Sequence, residues 1–218
     1  MIDIMPITSL KTKARKIISL LKKEYPKSAC TLDFKTAHQL MVATILSAQC
    51  TDERVNIVTR DLFKKYKKPG DYADAPIREL EKDLKSTGFF RNKAKSIKES
   101  SRVIVSEFNG LVPDGMNDLI KLPGIGRKTA TVILGTAYGK AEGITVDTHV
   151  SRLSARLGLT AEKTPEKIEK GLLDLIPKKD WIIISHLLID HGRAVCKARK
   201  PGCDSCVLAK ICPSFGNF

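Results

Sequence analysis

Helix signals recur along nearly the whole of this 218-residue chain, and the two-residue alternation of a half-buried strand is almost absent. Residues 9–25 set Leu10, Ala14, Ile17 and Leu21 on one face and stop at Pro26. Thr36 stands three residues ahead of Gln39, a capping box that opens a helix through TAHQLMVATILSAQ. The same punctuation predicts helices near 52–66, 76–85, 91–107, 126–138, 148–157, 165–176 and 180–192, with Thr164 as an N-cap and Pro165 at the first helical position. An all-α fold follows. Hydrophobic residues make up 42% of the chain, enough for a substantial buried core. Long linkers and internal repeats are missing, so composition marks no domain boundary. The loops expected at 67–76, 86–93 and 121–126 each hold glycine or proline beside basic residues, the arrangement of a binding face carried on loops.

Charge narrows the class of partner. There are 38 basic and 24 acidic residues, a formal net charge of +14, which suits a polyanion such as nucleic acid. The N-terminal MIDIMPITSLKTKARK has no secretory apolar core or cleavage site, and apolar runs such as Trp181 to Ile184 are too short to span a bilayer. A cytoplasmic protein with no membrane association is expected.

The stretch LPGIGRKTA, Leu122 to Ala130, joins a short helix ending at Leu122 to an amphipathic one with its apolar stripe at Ala130, Ile133, Leu134 and Ala137. Gly124 and Gly126 permit backbone angles at which successive N–H groups point outward, and the following helix N-terminus completes an anion site. Such a turn can hold a DNA phosphate without reading a base. Its first helical turn contains two cations, Arg127 and Lys128, where the partial positive charge of a helix N-terminus favours acids.

Four of the six cysteines, Cys196, Cys203, Cys206 and Cys212, fall within seventeen residues at the spacing C-x6-C-x2-C-x5-C. That arrangement can wrap one centre, either a zinc ion or a cubane cluster with one thiolate per iron; ligand type does not separate them. From Arg193 through Cys212 there are five basic residues and one acid, so the same loop presents Lys197, Arg199 and Lys200 to a phosphate backbone. Cys30 and Cys50 read as half-buried thiols, and His38, His186 and His191 as structural residues on helices.

LPGIGRKTA, VDTH at Val146 to His149, LSAQCTD at Leu46 to Asp52 and the four-cysteine tail together resemble the endonuclease III family of helix-hairpin-helix DNA glycosylases, in the same order from about Ser28 to Pro213. The resemblance implies a base excision repair enzyme: a bifunctional DNA N-glycosylase and AP lyase removing oxidised pyrimidines from duplex DNA, with a [4Fe-4S] cluster on the cysteines. It also implies two helical lobes flanking a DNA-binding cleft. One is a central helical barrel over 30–140 with the helix-hairpin-helix at about 114–135. The other joins 1–29 to 141–218 and carries the cluster loop at 196–212.

By the same resemblance, Lys128 is the nucleophile, Asp147 the aspartate of the VDTH motif, and Gln49 the residue that fills the space left by a flipped nucleotide. Phe89, in TGFFRNKA, stands where relatives place an apolar wedge, often leucine. Thr131 replaces a common asparagine and Cys50 a common alanine. DNA contacts are expected from Leu122, Gly124, Gly126, Arg127, Lys197, Arg199 and Lys200, and from His149 unless it closes a local hydrogen bond. The partner is double-stranded DNA with damaged bases or abasic sites, bound by a monomer.

The chemistry explains the residue types. Extruding the nucleotide costs a few kcal/mol, part of which a wedge side chain recovers. A neutral amine can then attack C1′, displace the base, and form a Schiff base from which β-elimination breaks the strand. Bringing an ordinary lysine, with a pKa of about 10.4, to about 7–8 takes roughly 4 kcal/mol. A helix N-terminus supplies about 0.3–1 kcal/mol of that, so Lys128 is expected in a partly desolvated pocket, with Arg127 toward solvent or phosphate. Asp147 is expected to cap the helix that follows it, staying ionised and able to stabilise positive charge on the sugar. Two other readings use the same motifs. One is a monofunctional mismatch glycosylase, which leaves Lys128 without a purpose and, in adenine-specific relatives, often carries a further C-terminal domain, whereas this sequence runs six residues past Cys212. The other is a non-enzymatic DNA-binding module with structural zinc.

Overall fold

The structure, a computed structural model, describes residues 7–217. Among them there are eleven α-helices and no strand: α1 (Ile7–Glu24), α2 (Ala37–Ser47), α3 (Asp52–Lys65), α4 (Pro69–Asp74), α5 (Ile77–Leu84), α6 (Phe90–Glu107), α7 (Met116–Leu119), α8 (Arg127–Tyr138), α9 (Thr148–Arg156), α10 (Pro165–Leu175) and α11 (Trp181–Ala194). Short 3₁₀ turns occupy Lys85–Thr87, Lys178–Asp180, Cys203–Ser205 and Ala209–Ile211.

Most helix starts follow from local chemistry. Thr36 caps α2 by accepting the Gln39 N–H at 3.2 Å, although Gln39 returns its bond to the Lys35 N–H at 2.7 Å rather than to Thr36. Thr51 caps α3 through the Arg54 N–H. Thr164 occupies the N-cap of α10 with extended backbone, and Pro165 follows at the first helical position, but the threonine side chain makes no capping bond. The segment 67–76 is not a loop: Pro69 starts α4, and the Asp71 carboxylate accepts the N–H groups of Lys67 and Lys68. A proline at N1 with an acid two residues later is a helix-start signal that the glycine at position 70 obscures.

By contact the chain forms two compact units. One is Thr31–Glu142; the other joins the chain up to Cys30 to the part from Gly143 onward. In the Thr31–Glu142 unit, α2 is buried nearly all round and packs against α3, α6 and α8, its Leu40, Met41 and Leu46 sharing a core with Val55, Leu62, Ile97, Ile104, Ile133 and Leu134. In the other unit, Ala14, Ile17, Ile18 and Leu21 of α1 pack with Val150 and Leu153 of α9, Ile168 and Leu172 of α10, and Ile184, Leu187 and Leu188 of α11. Each such fully buried aliphatic side chain contributes about 1.5–3 kcal/mol. Lys22 of α1 also reaches the buried Asp180 carboxylate at 2.6 Å, tying α1 to the turn before α11.

His38 of α2 sits among apolar side chains, bonded through Nε2 to Ser101 Oγ at 3.0 Å and tilted against the Tyr72 ring. Burial pushes its pKa down to about 4. Because the folded pKa lies below the unfolded value of about 6.5, the unfolded chain takes up the proton first. Stability from His38 is therefore present above about pH 6.5 and is lost as pH falls toward 4, by up to roughly 3 kcal/mol. Urea denaturation from pH 7 to 4.5 should show this slope, and His38→Gln should flatten it.

Candidate active site and metal centre

The hairpin of LPGIGRKTA forms as its glycines require. The chain leaves α7, turns with Ile125 N–H donating to the Leu122 carbonyl at 3.0 Å, and enters α8 at Gly126, whose φ is −89°. Leu122 and Ile125 anchor the turn by burial, leaving Gly124, Gly126, Arg127 and Lys128 on the surface. Gly124 has φ +79°, and a Cβ there would lie 2.5 Å from Ser96 Cβ, so the turn is pressed against α6. The first turn of α8 holds no acid, and its leading N–H groups have no intrahelical acceptor. A helix N-terminus with two exposed cations is electrostatically suited to an anion. Lys128 is exposed, so the desolvated pocket expected of it does not exist in the protein alone. Thr131 is buried and donates Oγ1–H to the Arg127 carbonyl at 3.0 Å.

Two further residues of the Thr31–Glu142 unit stand out by backbone conformation. Gln49, just beyond α2, has φ +53°, and Phe89, just before α6, has φ +46° and is 66% exposed. Left-handed angles at non-glycine residues are uncommon and concentrate at functional sites. At Phe89 such a bend coincides with an aromatic ring held in solvent. Cys50 is half-buried, as its sequence context suggests.

In the other unit, Asp147 caps α9: its Oδ1 accepts the Val150 N–H at 2.8 Å, and the residue is half-buried. His149 takes the local option. Its Nδ1 bonds Arg152 Nη2 at 3.2 Å, while burial pushes its pKa down against the opposing pull of Asp147. Arg152 also donates to the carbonyls of Gly192 and Cys196, at 3.1 and 3.0 Å. One turn on, Arg156 donates to Cys196 Sγ at 3.4 Å and to the carbonyls of Lys197 and Ala198. The helix capped by Asp147 therefore carries the cysteine loop on its two arginines. Both were missed in the sequence, although their spacing of four in THVSRLSARLG places them on one face.

Cys196, Cys203, Cys206 and Cys212 all line one small cavity, together with the apolar side chains of Leu153, Leu157 and Val195. Among the described residues no three His, Cys, Asp or Glu side chains converge as ligands of a single ion. Four thiols around one cavity can ligate a single centre, either a zinc ion or an iron-sulfur cluster. N–H donors are also aimed at the sulfurs: besides Arg156, the Leu208 N–H reaches Cys206 Sγ at 3.4 Å and His191 Nε2 lies 3.3 Å from it. Burial pushes the His191 pKa down to about 4, and the neutral ring lies between two partners, its Nδ1 2.9 Å from the Tyr25 hydroxyl and its Nε2 beside the Cys206 sulfur. Lys197, Arg199 and Lys200 are exposed on the loop.

Comparison with known proteins agrees with this arrangement. Residues 42–178 match the model of the HhH-GPD superfamily base excision DNA repair proteins. Endonuclease III of Synechocystis is 54% identical over 208 residues, covering 95% of both chains. The chain belongs to the endonuclease III family. It is thus a DNA glycosylase and AP lyase of base excision repair. Endonuclease III of Bacillus subtilis is 47% identical over 86% of each chain. A solved structure of a trapped endonuclease III–DNA covalent intermediate, in an estranged-adenine complex, matches with a TM-score of 0.88 and 43% identity, covering 93% of this chain and 95% of that one.

The glycine requirement is testable. Gly124→Ala should cost more than about 2 kcal/mol, from its left-handed φ and the Ser96 clash together, and weaken binding to duplex DNA. Gly126→Ala, with open space around its Cβ and an ordinary φ, should cost at most about 1 kcal/mol. Chemical denaturation of the two variants, with Ser96→Gly added to Gly124→Ala, separates the clash from the backbone strain.

Proposed function

We infer that this enzyme removes oxidised pyrimidines from duplex DNA and then cleaves the abasic site, with Lys128 as the Schiff-base nucleophile. The observation that supports the assignment is an exposed lysine beside Arg127 in the first turn of α8, at a helix N-terminus whose first turn holds no acid. The N–H groups and Arg127 take the phosphate. Lys128 then faces the sugar, and DNA itself supplies the exclusion of water that the free protein lacks. Gln49 and Phe89 enter the duplex, the first filling the vacated space and the second acting as a wedge. The Asp147 carboxylate stabilises positive charge on the sugar as the base leaves, its geometry fixed by the Val150 N–H. The substrate is duplex DNA with damaged bases or abasic sites, engaged by a cytoplasmic monomer through Gly124, Gly126, Lys197, Arg199 and Lys200; Leu122, expected among these contacts, is buried and supports the turn from within. No helix of the described residues is long and apolar enough to cross a membrane.

The four cysteines fit a [4Fe-4S] cluster, each thiolate on its own iron. Cys196, Cys203, Cys206 and Cys212 would hold such a cluster, which would tie the loop together and so help present Lys197, Arg199 and Lys200 to phosphate. Arg156, His191 and the Leu208 N–H orient and stabilise the thiolates.

Borohydride trapping on DNA with an abasic site tests the nucleophile: wild type should form a covalent adduct and Lys128→Ala should not. Undiminished trapping by Lys128→Ala would overturn the assignment, and absence of an adduct in wild type would favour a monofunctional glycosylase. Asp147→Asn keeps an equivalent N-cap, so it should slow base excision by roughly 10²-fold without loss of stability. Asp147→Ala should add a stability loss of about 1 kcal/mol, read by thermal melting. Iron analysis should find about four irons per chain with visible absorption; one zinc per chain would instead favour a structural metal.

A further inference from the structure

Gln49 and Phe89 hold left-handed backbone angles, +53° and +46°, that persist only where the surroundings over-determine them. One buried side chain lies between the two segments. Lys93, in the first turn of α6, is 5% exposed, and its Nζ donates to the Leu46 carbonyl at 2.8 Å and to the Thr87 carbonyl at 2.7 Å. Leu46 stands three residues before Gln49, in the last turn of α2; Thr87 stands two before Phe89, at the end of a 3₁₀ turn. Lys93 also donates its backbone N–H to the Phe89 carbonyl at 3.2 Å. A single ammonium therefore fixes the separation of the two loops. Three residues further along α6, Ser96 supports the hairpin at Gly124, so the start of this helix is a common base for all three segments.

Burying a lysine is unfavourable. Apolar surroundings push its pKa down, with nearby Cys50 opposing, and a leucine or methionine would pack the same stripe with Ala94, Ile97 and Ile104 at no such cost. What a cation adds is several donors on one stem, able to take two carbonyls from separate segments at once.

We propose that Lys93 is a positioning residue for base extrusion: it sets the spacing and backbone conformation of the Gln49 and Phe89 loops so that both side chains enter the duplex together. The proposal rests on the reading above that these two residues enter DNA. Lys93 itself touches neither DNA nor the reacting atoms.

The test uses duplex DNA with an abasic-site analogue and 2-aminopurine in the opposing strand, whose fluorescence rises when local stacking is broken. Wild type should give that rise, and Lys93→Arg should keep it within about twofold, while Lys93→Met should lose most of it and slow single-turnover excision at least about tenfold. Affinity should stay within about threefold of wild type, since the hairpin and cluster loop keep their phosphate contacts. A folded Lys93→Met with an undiminished rise and rate, or one whose only defect is weaker binding, would overturn the proposal. Should Lys93→Met fail to fold by circular dichroism, Lys93→Gln is read in its place: a rise between those of wild type and a Phe89→Ala control is expected. Loss of the fold in that variant too, or a full rise, makes Lys93 a core residue only. Gln49→Ala and Phe89→Ala separate the two levels. If both leave the rise intact, the reading of those residues fails and Lys93 with it; if they abolish it and Lys93→Met does not, only the role of Lys93 fails.

Discussion

A helix that stops inside a protein leaves its last carbonyl groups without partners, and a fold built from many short helices meets that problem repeatedly. This chain answers it with cations. Lys93 takes the carbonyls of Leu46 and Thr87; Lys98 takes those of Ala73 and Ala75, helped by Arg102. Arg152 and Arg156 do the same for Gly192, Cys196, Lys197 and Ala198. The carbonyls of Leu46 and Thr87 are bonded to Lys93 in a buried setting, where leaving such a carbonyl unpaired would cost about 1–3 kcal/mol. A share of the net charge of +14 is thus internal carpentry, and the charge offered to DNA is correspondingly smaller than composition suggests.

The carbonyls satisfied in this way lie beside the segments that do the chemistry. In the Thr31–Glu142 unit, the first turns of α6 brace the Gln49 bend, the Phe89 bend and the glycine hairpin. In the other unit, α9 begins at the Asp147 cap and ends at Arg156 against the cysteine loop. Loops that would otherwise be mobile are held by short charged bonds to rigid helices, which is what a site that must insert side chains into a stacked duplex requires.

Helix number and order were largely legible because apolar stripes and caps are local. The α4 segment was not, because Gly70 and the two prolines around it read as a turn and only the Asp71 carboxylate bonds reveal the helix. The hairpin glycines were legible because a positive φ leaves few alternatives at Gly124. Lys93 was not singled out, although it falls on the same stripe as Ile97 and Ile104; a charged side chain on an apolar face declares itself only when the carbonyls it serves come from elsewhere in the chain. The desolvated pocket inferred for Lys128 failed for a related reason: the inference came from what the reaction needs, and the free protein leaves that side chain in water.

By itself the sequence determined the helical class, the turn that must contain Gly124, the cap at Asp147 and the presence of four thiols spaced to share a centre. Those properties depend on residues within a few positions of one another. Tertiary structure decided which cations belong to the interior, that the four cysteines surround one cavity, and that one helix start supports three separate loops. Those depend on carbonyls and side chains tens of residues apart, whose meeting is governed by how the apolar faces pack rather than by any local preference.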